Sequence, residues 1–197
     1  MAVDATKQFQ PELYRSYLRI LARVCLRSAG PPHQKVEASD IVQDSLMQAL
    51  LALPQFHGAT EHEFRGWLRV ILENKLKDAI RHFARKKRDA AIERTVCETL
   101  EKSSVYFERR FERVILADQT SPSRRVLQNE RANIIAKYLE ALPADQRMAI
   151  ELHHLGGNSL QETAEQMNRS TASVAGLLRR GLKALREGLQ DQEQTLR

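Results

Sequence analysis

The sequence predicts an all-α protein of two small helical domains joined by a linker, the C-terminal one a helix-turn-helix. Apolar residues recur at helical spacing over most of the 197 residues, and no segment alternates apolar and polar residues as a half-buried strand would. Residues 89–120 lack a clean apolar stripe and predict only weak helices, at 90–100 and 105–116. The predicted limits are a first domain at 1–95, a linker at 96–122 and a second domain at 123–197.

Three helices are predicted in the first domain. The first covers residues 11–27, where apolar residues recur at helical spacing. Ser39 can cap a second helix, which Pro54 stops. Its apolar positions form one stripe that is expected to be buried: Val42, Leu46, Ala49, Leu50 and Leu53. Thr60 and Glu63 have the spacing of a capping box, and a long apolar stripe follows them. The third helix is therefore predicted to be the longest of the domain.

The second domain shows the same kind of helical punctuation. An apolar stripe begins after Pro122, and Pro143 starts the next helix. Ser159 and Glu162 form the pattern of a second capping box, which opens a short helix. A turn at residues 168–170 then leads into a long final helix.

Composition points to a polyanionic partner. Lysine and arginine number 31 against 25 acidic residues, a formal net charge of +6, and the basic residues cluster near the middle and the end of the chain. Cys25 and Cys97 show no CxxC or metal-ligand spacing. No apolar run is long enough for a membrane span, and the sequence after Met1 lacks the order of a signal peptide. We therefore expect a cytoplasmic protein without membrane insertion, metal or cofactor.

The short capped helix, the turn and the final helix are the components of a helix-turn-helix. Ala164 occupies the position where the two helices cross, and Val174 and Leu178 anchor the final helix from beneath. Short side chains near the start of that helix allow it to approach base edges in the major groove. The alternative is a helical hairpin with a solvated basic face. The residues expected to face the groove are Thr171, Ala172, Ser173 and Ala175.

The third helix changes from amphipathic to strongly basic along its length and ends in the run Arg85–Arg88. Such a run is commonly a solvated helix end, because the helix dipole favours cations there. Aromatic residues Phe56, Phe64 and Trp67 bracket the preceding polar loop, and stacking surfaces beside cationic tracks bind single-stranded DNA. Trp67 lies on the apolar stripe and is assigned to the core. Phe56 and the polar groups of the loop are predicted to meet a base.

Two groups of segments resemble conserved regions of one protein family, the extracytoplasmic-function sigma factors of bacterial RNA polymerase. The first group resembles the second conserved region and comprises Ser39–Leu50, Phe64–Leu68, Asn74 and the basic run. The second group resembles the fourth region and comprises Leu139–Pro143, Leu160–Glu165 and Ser173–Glu187. Both occur in the family's order and spacing.

The resemblance implies a factor that binds core RNA polymerase and directs promoter recognition and DNA opening at transcription initiation. It implies that the polar face of the second helix binds the polymerase clamp, although the same residues could form a plain solvated surface. These are Asp40, Gln43, Asp44 and Gln48. The residues expected at the minus-ten element are Phe56, His57, Thr60, Asn74, Lys75, Asp78, Arg81 and Arg85. A dedicated anti-sigma factor is a further expected partner.

One departure concerns the final helix, which the resemblance assigns to the minus-thirty-five element. Many relatives carry Lys-Ser-Arg where this chain has Ala175-Gly176-Leu177, so two phosphate-seeking charges are missing and a helix-weakening glycine is present. Contact with DNA is therefore expected to depend on arginines elsewhere. The full predicted set is Arg169, Ser170, Thr171, Ala172, Ser173, Ala175, Arg179 and Arg180.

Two other classes of function remain as alternatives. A stand-alone helix-turn-helix regulator would bind duplex DNA as a dimer, but residues 89–120 offer no sustained heptad for its interface. An enzyme acting on nucleic acid could place a metal at His153-His154 with Glu151, or at His57 with neighbouring glutamates. Neither set has the HExxH spacing of a metal-dependent hydrolase. We expect no catalytic site.

Overall fold

The computed structural model describes residues 9–30, 36–83, 90–106 and 131–195. In these ranges the regular elements are helices, and no strand occurs. The predicted all-α class is confirmed. The chain divides into two compact units, unit 1 (Met1–Leu100) and unit 2 (Glu101–Arg197).

Among its described residues, unit 1 contains three helices and the first part of a fourth. The helices are α1 (Arg15–Ser28), which follows a 3-10 turn at Pro11–Tyr14, α2 (Ala38–Ala52), α3 (Glu61–Phe83) and α4 (Ala90–Val105). α2 packs on both α1 and α3. Their apolar stripes meet in a core whose largest fully buried side chains include Tyr17, Leu18, Ile20, Leu21, Phe64, Leu68, Leu72 and Leu76.

The second helix begins at Ala38, one residue before Ser39, which was expected to be its cap. Glu37, in an extended conformation, is the N-cap residue of α2, and its carbonyl accepts hydrogen bonds from the N–H groups of Asp40 and Ile41. Ser39 lies inside the first turn and is exposed, so its assignment as the cap was wrong. Pro54 lies in a 3-10 turn directly after the helix, which confirms the predicted stop.

The capping box of α3 is confirmed. The N–H of Glu63 donates to Oγ1 of Thr60 over 3.2 Å, and Oε2 of Glu63 accepts from the N–H of Thr60 over 2.9 Å. The N–H of Ala59 also donates to that carboxylate oxygen. Three backbone donors at or before the helix start are thereby satisfied, and the preceding loop is tied to a helix of 23 residues.

The predicted weak helix at 90–100 is confirmed and continues to Val105, so residues 96–105 of the expected linker are helical. Val96 and Leu100 are buried, which explains why the helix passes the expected limit. The helix predicted at 105–116 lies almost wholly outside the described residues. The domain limits themselves stay a prediction.

The described part of unit 2 contains four further helices. They are α5 (Arg131–Ala141), α6 (Ala144–Ile150), α7 (Leu160–Met167) and α8 (Thr171–Thr195), with a π-helical segment at Glu151–Leu155. α8 packs against α5, α6 and α7. Pro143 is the N-cap residue of α6, as its predicted role at the start of that helix requires.

The connection between α6 and α7 has an unusual backbone. The N–H of Gly156 donates to the carbonyl of Glu151 over 2.8 Å, a π-type bond that widens the last turn. Gly157 then takes a φ of +74°, which a residue without a Cβ adopts at little cost. Ser159 and Glu162 form the predicted capping box at the start of α7. Among the described helices, none has the length and apolar character that crossing a membrane requires.

Candidate nucleic-acid interface

The turn between α7 and α8 has the geometry of a helix-turn-helix. Asn168 ends α7 with a φ of 51°, and the N–H of Arg169 donates to the carbonyl of Ala164 over 2.9 Å. Ala164 itself is buried, and so are Val174 and Leu178 on the inner face of α8. The predicted packing roles of these three residues are therefore consistent with their burial. The turn is fixed by backbone hydrogen bonds on one side and by apolar packing on the other.

The outer face at the start of α8 carries short side chains. Thr171, Ala172 and Ala175 are exposed, and Ser173 is partly exposed. Oγ of Ser170 accepts a hydrogen bond from the N–H of Ser173 over 3.2 Å, so Ser170 caps the helix. Small residues on this face leave the helix backbone free to approach a surface closely.

An open cavity of about 570 Å3 lies against this turn. It is lined by residues of α7, of the turn and of the start of α8, namely Gln161, Ala164, Glu165, Asn168, Arg169, Ser170 and Thr171. Arg169 reaches across to α6, where its Nη2 donates to Oδ2 of Asp145 over 2.6 Å. The predicted residues 169–171 are thus brought together around one concave surface that holds a cation, hydroxyls and amides.

The glycine in the final helix has a local structural consequence. A Cβ added to Gly176 would lie 3.3 Å from Nη1 of Arg180, which is a tight contact. The guanidinium of Arg180 therefore folds back over Gly176, one helical turn earlier. Arg179 and Arg180 are both exposed, as expected for groups that contact DNA backbone. The sequence did not indicate that Gly176 makes room for a neighbouring arginine.

In unit 1, part of the predicted site forms one exposed stripe along α3. Asn74, Asp78 and Arg81 are exposed at helical spacing, whereas Lys75 lies beside them and is half-buried. Val70, 57% exposed, extends the same stripe by one turn and was not predicted. Its exposure could not be read from the sequence, because an apolar residue next to an apolar stripe looks like core.

Arg81 is held by an acidic residue of the next helix. Its Nε and Nη2 donate to the two carboxylate oxygens of Glu93, each over 2.8 Å, and Nη1 lies 3.6 Å from Asp78. This bidentate pair fixes the guanidinium at the surface of unit 1. Arg85, the last residue of the predicted minus-ten set, lies outside the described residues.

The loop before α3 corrects one prediction. The ring of Phe56 is only 8% exposed, so it offers no face to a base. It packs at centroid distances of 5.2 Å from both Phe64 and Trp67 and 5.5 Å from Phe9. Gly58 permits this packing, since a Cβ there would overlap Cζ of the Phe56 ring. Trp67 belongs to this ring cluster, although it retains partial exposure.

The polar residues of the loop lie on the surface. His57 and Thr60 are both exposed. The hydroxyl of Thr60 donates to the carboxylate of Glu63 over 2.8 Å and accepts from the Glu63 N–H, so it is occupied in the capping box. The same contacts from Thr60 and from the N–H of Ala59 hold the pKa of Glu63 below its ordinary value. Of the two loop residues, His57 has the side chain better placed for a ligand.

The outer face of α2 contains the four residues predicted to bind polymerase, and all of them are exposed: Asp40, Gln43, Asp44 and Gln48. Apolar neighbours lie on the same side of the helix. Met47, Leu50 and Leu51 are between 55% and 72% exposed. Leu50 was expected in the buried stripe, and this assignment was wrong, because Ala49 and Leu53 fill the inner face instead. An acidic face with an apolar end is suited to a protein partner.

The histidines proposed as an alternative metal cluster have other roles. Nδ1 of His153 lies 2.8 Å from the carbonyl of Asn158, and its ring packs against that of His154. Glu151 is fully buried in the π-helical segment. Over the described ranges, no group of at least three His, Cys, Asp or Glu side chains could hold a metal ion.

Comparison with known proteins identifies similar sequences for both units. Residues 13–86 match the family model described as Sigma-70 region 2, and residues 132–185 match the model described as Sigma-70, region 4. The ECF RNA polymerase sigma-E factor of Salmonella typhimurium is 28% identical over 149 residues, covering 76% of this chain and 72% of the relative. Its Escherichia coli K12 counterpart is 27% identical over the same length. The RNA polymerase sigma-H factor of Pseudomonas aeruginosa is 27% identical over 158 residues, covering 80% of this chain and 76% of the relative.

Proposed function

Because the chain belongs to the sigma-70 family, in its extracytoplasmic-function branch, we propose that unit 1 binds the polymerase clamp and the minus-ten element while unit 2 binds the minus-thirty-five element. The chain is a sigma factor that directs promoter recognition at transcription initiation, and it is not an enzyme. Core RNA polymerase and promoter DNA are accordingly its partners.

The helix-turn-helix is the observation that carries the assignment of unit 2. Short residues cover the outer face of α8 at its start, and Arg169 lines the adjoining cavity. In duplex recognition the first residues of the second helix meet base edges, and the flanking cations meet phosphates. We assign Thr171, Ala172, Ser173 and Ala175 to the groove. Arg169, Ser170, Arg179 and Arg180 are assigned to the backbone.

The exposed stripe of α3 supports the assignment of unit 1 to the minus-ten element. Asn74 and Asp78 offer hydrogen-bonding groups, and Lys75 and Arg81 offer charge, along one edge of a long helix. Such a mixture suits a strand whose bases are unstacked, since amides and carboxylates can read base edges there. We propose that this stripe and His57 hold the non-template strand during opening. Phe56 is removed from the set.

The outer face of α2 is proposed as the polymerase-binding surface. Its carboxylates lie opposite the buried stripe of the helix, so they can contact a partner without disturbing the core. Met47 and Leu51 add apolar area beside them. We propose that an anti-sigma factor, a protein inhibitor, covers the same face. The proposed site of action is the cytoplasm, where polymerase acts.

The test of this assignment is a double charge reversal on α2. Asp40→Arg with Asp44→Arg should weaken binding to core RNA polymerase by at least about tenfold, because opposed charges at an interface become like charges. Fluorescence anisotropy of labelled chain against core enzyme measures this. The matched control reverses Glu98 and Glu101, two exposed carboxylates of α4 outside the proposed face. A folded α2 variant that binds as tightly as the control would refute the assignment.

A further inference from the structure

In unit 2, a carboxylate binds Arg169, the arginine in the turn between α7 and α8. Asp145, in the first turn of α6, accepts a 2.6 Å hydrogen bond from Nη2 of Arg169. Both side chains are well exposed, at 53% and 42%. The pair joins two segments 24 residues apart, so it is not a local feature of one helix.

Unit 1 contains the same arrangement. Glu93 of α4 binds the guanidinium of Arg81 through two bonds of 2.8 Å, across 12 residues of sequence. Arg81 stays 51% exposed despite the pair. In each unit, therefore, an arginine assigned to DNA is bound by an acidic residue from a different helix.

Stability does not account well for these pairs. Ion pairs between exposed side chains contribute little to folding, because water screens them and ordering two long side chains costs entropy. The chain carries a net charge of +6, however, and a basic surface binds nucleic acid of any sequence. An acidic partner at the DNA-facing arginines would reduce this sequence-independent binding.

We infer that Glu93 and Asp145 compete with DNA phosphate for Arg81 and Arg169 and thereby lower the affinity of the free chain for DNA of arbitrary sequence. The inference rests on the proposed assignment of these two arginines to DNA. For either arginine to contact a phosphate, it must leave or share its carboxylate, and that carboxylate then lies close to a second anion. Each phosphate contact thus yields less free energy than an unpaired arginine would provide.

The consequence is a change in the fractions of the chain that are bound to polymerase and to non-promoter DNA. Free sigma factor can bind polymerase or be retained on the large excess of non-promoter DNA. Weaker binding to the DNA backbone reduces the second fraction and leaves more chain for polymerase. In the promoter complex, contacts by polymerase and by the other site residues offset the weaker binding.

The experiment uses the full chain and a short labelled duplex of arbitrary sequence. Asp145→Asn keeps the shape of the side chain and removes its charge. We expect it to tighten binding about two- to fivefold, the range set by an exposed ion pair. The plot of log affinity against log salt should become steeper by a fraction of about 0.9, the slope for one fully neutralised phosphate, because Arg169 then displaces a counterion more completely. With polymerase and excess duplex present, the fraction of chain bound to polymerase should fall.

A double-mutant cycle separates this effect from general charge removal. Arg169→Gln alone should weaken binding, and Asp145→Asn should have no effect in the Arg169→Gln background. Glu187→Gln is the matched control, since Glu187 pairs at 3.6 Å with Lys183, a residue outside the proposed site. The parallel set on single-stranded DNA is Glu93→Gln, Arg81→Gln and their combination. Its control is Glu12→Gln, which removes a bidentate pair with Arg15.

The outcomes are distinguishable. If Arg169→Gln weakens binding but Asp145→Asn changes nothing, competition is refuted while the assignment of Arg169 to DNA stands. Equal tightening by Asp145→Asn with and without Arg169, or by Glu187→Gln, also refutes it, because the effect would then be general. If Arg169→Gln itself has no effect, both the competition and the proposed role of Arg169 are overturned.

Discussion

The loop of unit 1 and the turn of unit 2 are both proposed to meet DNA, and they are supported in different ways. The loop before α3 lies on a cluster of rings, where Phe56 contacts Phe9, Phe64 and Trp67. The turn before α8 adds hydrogen bonds to its apolar packing, from the N–H of Arg169 to the carbonyl of Ala164 and from the N–H of Ser173 to the hydroxyl of Ser170.

The difference matches the task proposed for each unit. A ring cluster fixes the base of a loop through apolar area and leaves His57 exposed, where it can reach a displaced strand. A hydrogen-bonded turn fixes the direction of the backbone itself, which determines how a helix enters a groove. Truncating a ring should therefore cost stability, whereas changing the turn helix should cost recognition. Four experiments test that contrast.

The largest expected effect is on the ring cluster. Phe64→Ala should lower the free energy of unfolding by about 3–5 kcal/mol, because Phe64 is fully buried and its removal leaves a cavity. Urea denaturation followed by the fluorescence of Trp67, the chain's single tryptophan, measures this. Phe64→Leu, which keeps most of the volume, should cost less than half as much. A decrease below about 1 kcal/mol for Phe64→Ala would show that the rings do not support the loop.

The second effect concerns α8. Ser173→Glu should abolish recognition of the minus-thirty-five element, since it places a carboxylate against DNA, while Arg179→Ala should weaken all sequences by a similar factor. Promoter profiling with reconstituted polymerase distinguishes the two. Ser173→Ala is the control for size. Normal initiation by Ser173→Glu at promoters that depend on this element would reassign the helix to protein contact.

The third effect tests whether α3 binds phosphate. Replacing Arg81, Arg85 and Lys86 by glutamine should make the salt dependence of promoter binding shallower by roughly 0.7 for each single-strand phosphate that is no longer neutralised. Holoenzyme binding measured over a salt series gives the slope. Arg15→Gln serves as a control outside the predicted set. An unchanged slope would mean that the three cations are only solvated.

The smallest expected effect is the loss of stability when either capping box is removed. Thr60→Ala and Ser159→Ala should each cost about 1 kcal/mol, as other N-cap substitutions do. Hydrogen bonds lower the pKa of both Glu63 and Glu162, from Thr60 and from the backbone N–H of Ser159 respectively. Each cap therefore contributes stability above the ordinary glutamate pKa and loses it as the pH falls through the lowered value. Denaturation at neutral and acidic pH measures this, and a pH-independent cost of Thr60→Ala, which removes the hydroxyl that lowers the pKa of Glu63 most, would contradict it.

Features that depend on residues close in sequence were the ones predicted well. Both capping boxes were found because their partners are three residues apart, and the helix stripes because burial follows the helical period. Leu50 and Phe56 were misassigned for one reason. The neighbours in space decide which edge of an apolar stripe is buried and which way a loop side chain points. Helix periodicity carries no information about those neighbours.

The site shows the same division. The residues of α8 that are proposed to face the groove were chosen from their place after the turn, and their contact with DNA stays a prediction. The acid partners of Arg81 and Arg169 are 12 and 24 residues away in the chain, and no local pattern indicates them. The ring contacts that bury Phe56 likewise need the packing of three segments. The π-helical bond at Glu151 has no signal that we recognise in the sequence.

Asn168 limits which residues the turn can accept. Its backbone is left-handed, with a φ of 51°, and Gly, Asn and Asp are the residues that adopt this conformation most readily. Asn168 also lines the cavity beside the proposed groove-facing residues. Aspartate would place an anion there, and glycine would raise the entropy cost of ordering the turn. In a saturation library selected for promoter activity, position 168 should therefore keep asparagine even if the amide never touches a base.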